Sequence, residues 1–129
     1  MIIKRPVDIE AAVKTVLEPY FKVYVRPLPE GFELPSLLVQ QVGGTEVDTI
    51  DTFSVTLDSR AKTDGAALDL LYDAIGVLRQ SEIGWIAINA LASWGTDPAR
   101  PDLALCTARL EITAHQTTKT IRSSNTNGN

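Results

Sequence analysis

His115 is the chain's single histidine and Cys106 its single cysteine, so acid–base or nucleophilic chemistry would have to grow from one of these or from carboxylates. A general base needs a partner within hydrogen-bond reach. His115 closes an alternating stretch beside a polar tail with no serine or cysteine nucleophile motif nearby, and it reads as a solvated strand-end histidine. Cys106 falls on the apolar register of the same stretch and reads as a small buried hydrophobe. The densest acidic region holds Asp48, Asp51, Asp58, Asp64, Asp69 and Asp73. Asp69 and Asp73 share a helix face, but no glycine-turned calcium loop and no histidine accompany the group, so these carboxylates read as solvated. Gly43-Gly44 lacks the lysine and helix start of a phosphate loop. The expectation is a protein that is not an enzyme and uses no metal or cofactor.

Composition narrows the remaining classes. The formal charge is −4 over 129 residues with a pI near 4.9, which leaves no basic stripe for gripping nucleic acid. Such a surface suits a protein that lies near nucleic acid without holding it. Apolar residues make up 44% and charged residues 22%, ordinary values for one globular domain. A lone cysteine cannot form an internal disulfide, and MIIKRPVDIE lacks the apolar core and cleavage site of a secretory signal, so a reducing cytosol is expected. The longest apolar run, Gly84 to Trp94, carries Asn89 and falls short of the roughly 20 residues that span a bilayer.

The elements that would position any site follow from periodicity. Ile9, Ala12, Val13, Val16, Leu17 and Tyr20 recur at offsets of three and four, which predicts a helix from about Pro6 to Glu18 that Pro19 ends. Val23 and Val25 mark a short strand, and Pro27, Pro29, Gly31 and Pro35 then force an extended surface loop. Leu37 to Val42 reads as the next strand. Phe53, Val55 and Leu57 alternate with Thr52, Ser54, Thr56 and Asp58 in the most regular strand of the chain, and Gly43-Gly44 is read as the centre of the hairpin joining the two. Thr63 or Asp64 caps a second helix striped by Ala67, Leu68, Leu71, Ala74, Ile75 and Leu78.

Trp85 to Trp94 is apolar on both faces and reads as a central strand. The segment Gly95 to Pro101 is expected as a long turn before a final alternating strand from Ala104 to Ala114. The order is helix, three strands, helix, two strands. This predicts an α+β two-layer sandwich, a mainly antiparallel sheet of about five strands packed by two helices. A domain over residues 1–115 is followed by a polar tail, 116–129, expected to be mobile.

Two surface features exceed what a free monomer needs. Thr52, Ser54 and Thr56, with Thr107, Arg109, Glu111 and Thr113, form a broad polar sheet face, which is either simply wet or a contact. Phe32 and Trp94 are large aromatics in segments expected at the surface, where they mark contacts unless they fold back onto the core.

The helix ending at a proline, the proline loop before LLVQQVGG, the strand DTFSVTLDSRA leading into an alanine-rich helix, and WGTDPARPDLALCTARLEITAH resemble tail terminator proteins of long-tailed bacteriophages. The resemblance spans about residues 8 to 115 and lies in the order and spacing of loose structural motifs. It implies a hexameric ring that caps the tail tube, stops its polymerisation and presents the surface joining the head. Partners would be further copies of the chain, the tube protein and the head-tail connector, with DNA passing through the lumen unbound and the protein sited in the virion at the neck end of the tail. Alternatives are another neck or head-completion connector, an adaptor of a phage-related secretion system, or a small ligand-binding domain. The candidate subunit or tube contacts are Phe32, Gly43, Gly44, Thr45, Glu46, Asp48, Thr52, Ser54, Thr56, Trp94, Asp97 and Arg100.

Overall fold

Alternation from Ile50 to Ser59 gives this strand a buried row, Val55 and Leu57 at its centre, and a half-exposed row of Thr52, Ser54, Thr56 and Asp58, before Ser59, Arg60 and Ala61 end it buried. The computed structural model describes residues 1–47 and 50–123. In chain order the elements are β1 (Ile2–Arg5), α1 (Ile9–Leu17), β2 (Val23–Val25), β3 (Ser36–Val47), β4 (Ile50–Ala61), α2 (Asp64–Gln80), β5 (Trp85–Asp97), β6 (Arg100–His115) and β7 (Thr117–Thr120). Among the described residues, five strands form one sheet in the order β2-β3-β4-β6-β5. Every neighbouring pair is antiparallel except β2 with β3, which is parallel. The α+β class, the two helices and the mainly antiparallel five-stranded sheet agree with the sequence reading. Two strands, β1 and β7, extend the expected order at its ends.

Both helices begin on side-chain caps. Asp8 accepts the Ala11 amide at 3.1 Å and Thr63 accepts the Ala66 amide at 3.2 Å, each satisfying a donor that the first helical turn leaves free. Ile9, Val13 and Leu17 of α1 and Ala67, Leu71, Ala74, Ile75 and Leu78 of α2 are buried together with Phe53, Val55 and Leu57 of β4 and with Cys106, Ala108, Leu110 and Ile112 of β6. Burial of each larger side chain contributes about 1.5–3 kcal/mol. Ser59, fully buried, donates to the Ala67 carbonyl at 2.8 Å and ties β4 to the start of α2.

The structure departs from the sequence reading at four places. Gly43 and Gly44 do not form the hairpin turn: they lie within β3, whose ladder with β4 continues to Val47↔Ile50 after a register shift between Gln41 and Gly43. The glycine at 44 is required by a close approach, since a Cβ there would lie 2.9 Å from the Thr52 carbonyl oxygen. Second, β5 is an edge strand rather than a central one, because its apolar content comes partly from small alanines and from Trp85, which is 80% exposed. Third, the long turn contracts to Pro98 and Ala99, with Asp97 paired to Arg100 across it. Last, the segment after His115 begins as β7, paired to β1 from Ile2↔Thr120 to Arg5↔Thr117. Such ladders need only main-chain groups, so the polarity of TTKT does not oppose them. Residues 124–129 fall outside the described residues.

The two adjacent glycines therefore differ. Gly44→Ala is expected to cost about 1–3 kcal/mol through overpacking against the Thr52 carbonyl. Gly43→Ala, whose Cβ would meet only Ser54 Cβ at 3.9 Å, is expected to change stability by no more than about 0.5 kcal/mol. Urea unfolding of both variants measures the difference.

Candidate functional site

Pairing positions the polar row of the sheet. Thr52 stands opposite Thr113 and their hydroxyls meet at 3.0 Å, while Asp58 accepts from Thr107 at 2.9 Å and from Gln40 at 3.2 Å. Asn89 of β5 donates to Glu111 at 2.9 Å. Four strands are thus laced together on the face away from the helices. Ser54 and Thr56 lie in the same row opposite Glu111 and Arg109. This face is a prearranged hydrogen-bonding surface with both charge signs.

At one end of the face the β3–β4 hairpin runs on as an arm. Gly43, Gly44, Thr45 and Glu46 are exposed there, as are Val42 (51%), Val47 (71%) and Ile50. Asp48 lies outside the described residues. The arm brings together the predicted residues Gly43, Gly44, Thr45, Glu46 and Thr52, with Ser54 adjoining. On its helix side, Asp51 sits opposite Glu46 and is only 2% exposed. One Asp51 oxygen accepts from Gln116 at 3.4 Å, and the other has no protein partner. Asp51 therefore does not fit the expectation of a solvated carboxylate: it is buried, with Gln116 donating to it.

At the other end Arg60 is buried. Its Nε donates to Asp97 at 3.2 Å, Asp58 lies 3.9 Å from Nη1, and the guanidinium sits 5.9 Å from the centre of the Phe32 ring. Phe32 thus folds back from the proline loop onto the sheet instead of standing free. That loop is pinned again where the Glu33 amide donates to the Tyr24 hydroxyl at 3.0 Å. Asp97 also accepts the Ala99 amide at 3.0 Å, closing the Pro98-Ala99 turn. That amide, with the hydrogen bond and charge of Arg60, holds the Asp97 carboxyl below its ordinary value of 3.8, against the opposing effect of burial. Arg100 is a surface side chain forked onto Asp102 at 3.0 and 3.1 Å. Trp94 remains 52% exposed on β5.

The predicted residues therefore separate into an exposed arm and face (Gly43 to Glu46, Thr52, Ser54, Thr56), a structural knot (Phe32, Asp97) and a margin (Trp94, Arg100). Sequence reasoning missed Trp85 and Arg60. Trp85 begins an apolar run that hides its exposure, and Arg60 sits at a polar register position where burial leaves no signal. Cys106 is fully buried, and burial raises its thiol pKa, as befits a core residue. His115 is exposed at the end of β6. A groove of about 770 Å³ between the end of α1 and α2 is lined by Tyr20, Phe21, Tyr72, Asp73 and Gly76, among others. Searches against protein-family models and curated proteins return no match.

Removing the Asp97 charge leaves buried Arg60 with only the more distant Asp58 carboxylate. Asp97→Asn is expected to lower stability by about 2 kcal/mol at neutral pH. With the folded-state pKa lowered, the Asp97 contribution is present above 3.8 and is lost as pH falls through the folded value. Urea midpoints measured from pH 7 to pH 2.5 should therefore converge between wild type and variant at the acid end.

Proposed function

We propose that the chain is a structural protein of a bacteriophage tail, a tail terminator that assembles into a six-membered ring on the end of the tail tube, halts its growth and offers the surface to which the head joins. The observation that carries this reading is the apolar surface left open on two strands: Trp85, Leu91 and Trp94 on β5, and Val42 and Val47 on the arm. A solitary domain has no use for aromatic side chains along an unpaired edge, and exposed apolar patches of this kind mark association. The ordered motifs of the sequence point to the same family. Within this reading the sheet and helices act as a two-layer sandwich, with the laced polar face free for contact with tube, connector or lumen. The role requires no catalysis and no cofactor. Among the described residues no helix is long and apolar enough to cross a membrane.

Light scattering coupled to size exclusion is expected to give a concentration-dependent species near six times the 14.0 kDa chain. Negative-stain images should show rings, alone or seated on tube ends. A chain that stays monomeric at high concentration and ignores tube ends would sink the proposal.

A further inference from the structure

Two strands of the sheet keep an unpaired side. Among the described residues β5 pairs only with β6, and β3 is covered on its outer side by β2 only over Leu37–Val39. The Gln41 amide is taken by the Glu10 carboxylate at 2.8 Å, so the open part of β3 starts at Val42.

The register sets these two openings level with each other. Trp85 stands opposite Thr113, Thr113 opposite Thr52, and Thr52 opposite Thr45; Ala87 leads in the same way through Glu111 and Ser54 to Gly43. From Gly43 onward the β3 stretch is regular, Val42 being the unpaired residue of the bulge, and so is the start of β5. The first register shift in β5 comes after Ile88, and the shift in β3 ends at Gly43. Three successive antiparallel pairings make β5 run antiparallel to β3. Natural edges are usually guarded by lysine, proline or inward charge. Trp85–Asp97 contains no lysine, arginine or proline.

We propose that neighbouring subunits join by sheet extension, the start of β5 (Trp85 to Ala87) pairing antiparallel with the arm residues Gly43 to Thr45 of a second copy. Rotation about an axis running along the strands alters neither height nor direction, so the two open edges of successive copies meet in register. The contact is heterologous and can close a ring. This rests on the ring reading above and adds the strands that make the joint.

The test is disulfide trapping in the full chain with the double variant Thr45→Cys/Trp85→Cys. Cys106 is fully buried and does not compete. Within one chain the two sites lie three strand spacings apart, about 14 Å, beyond the roughly 7 Å limit between bridged Cα atoms, so any bond links two copies. A second pair, Gly43→Cys/Ala87→Cys, sits one step along the same face and guards against a single variant that misfolds. Oxidation is expected to give a reductant-sensitive ladder reaching six chains on denaturing electrophoresis, absent from each single-cysteine variant. Rings of wild type with no ladder from either pair, or a ladder that stops at two chains, would overturn the sheet-extension joint and leave the ring standing. Wild type that stays monomeric throughout overturns both.

Discussion

The constraint on which the rest of the structure depends is the phase of β4. It is paired along its whole length, to β3 on one side and to β6 on the other. A slip of one residue would send Val55 and Leu57 to the polar face and Thr56 and Asp58 into the core, and burial alone forbids that. Polar contacts pin the same phase from the opposite side. The Thr52–Thr113 hydroxyl pair and the Asp58 contacts with Thr107 and Gln40 form only in this register. Through Ser59 and Ala67 the phase of β4 also sets where α2 begins.

The two ends of the polar face use this fixed frame differently. Around Arg60, charges from β4 and the β5–β6 turn converge under Phe32, so the proline loop, β4 and β5 are joined at one point. A buried ion cluster gains little net stability once desolvation is counted. Its effect is positional: the guanidinium fork accepts few arrangements, which restricts how the loop can lie. The arm has no such knot. Beyond Phe53 its described residues are mostly exposed, apart from buried Asp51, and at Gly44 the Thr52 carbonyl oxygen fills the space a Cβ would need. One end is locked by side chains and the other is held by its ladder.

What could be read in the sequence was whatever has a period. The stripe of α2, the cap at Thr63 and the alternation through Phe53, Val55 and Leu57 each reflect a single local rule and match the structure. The misreadings arose where one residue type serves two purposes. Glycines permit turns, and they also permit close backbone approach, and here Gly44 serves the second. Alanine and tryptophan together look like a buried strand, yet in β5 the alanines are filler and Trp85 faces outward. The β1–β7 ribbon depends on main-chain pairing between segments more than a hundred residues apart, closed by Met1 and Ile121 donating to each other at 3.0 and 2.7 Å. Side-chain patterning carries no trace of such a pairing. The burial of Asp51 is equally invisible, since its alternating position predicts a face but not what closes over it.

The open edges follow from the same fixed phase. Because β4 sets the register of both its neighbours, it sets the height at which β5 and the arm are exposed, so a mutation that moved one edge would have to break the core to do so. The two edges also differ in kind. β5 offers bulk in Trp85, whereas the arm is stripped of side chains at Gly43 and Gly44, and at Gly44 the Thr52 carbonyl keeps it so. In the proposed joint Trp85 would stand opposite Thr45 with Gly43 as its diagonal neighbour on the same face, where its indole ring could cover backbone that no side chain shields. Like edges would pair with themselves and stop at two copies. Unlike edges at one height and of opposite direction would leave each new copy an unfilled end until a circle closed, which is what the proposed ring needs.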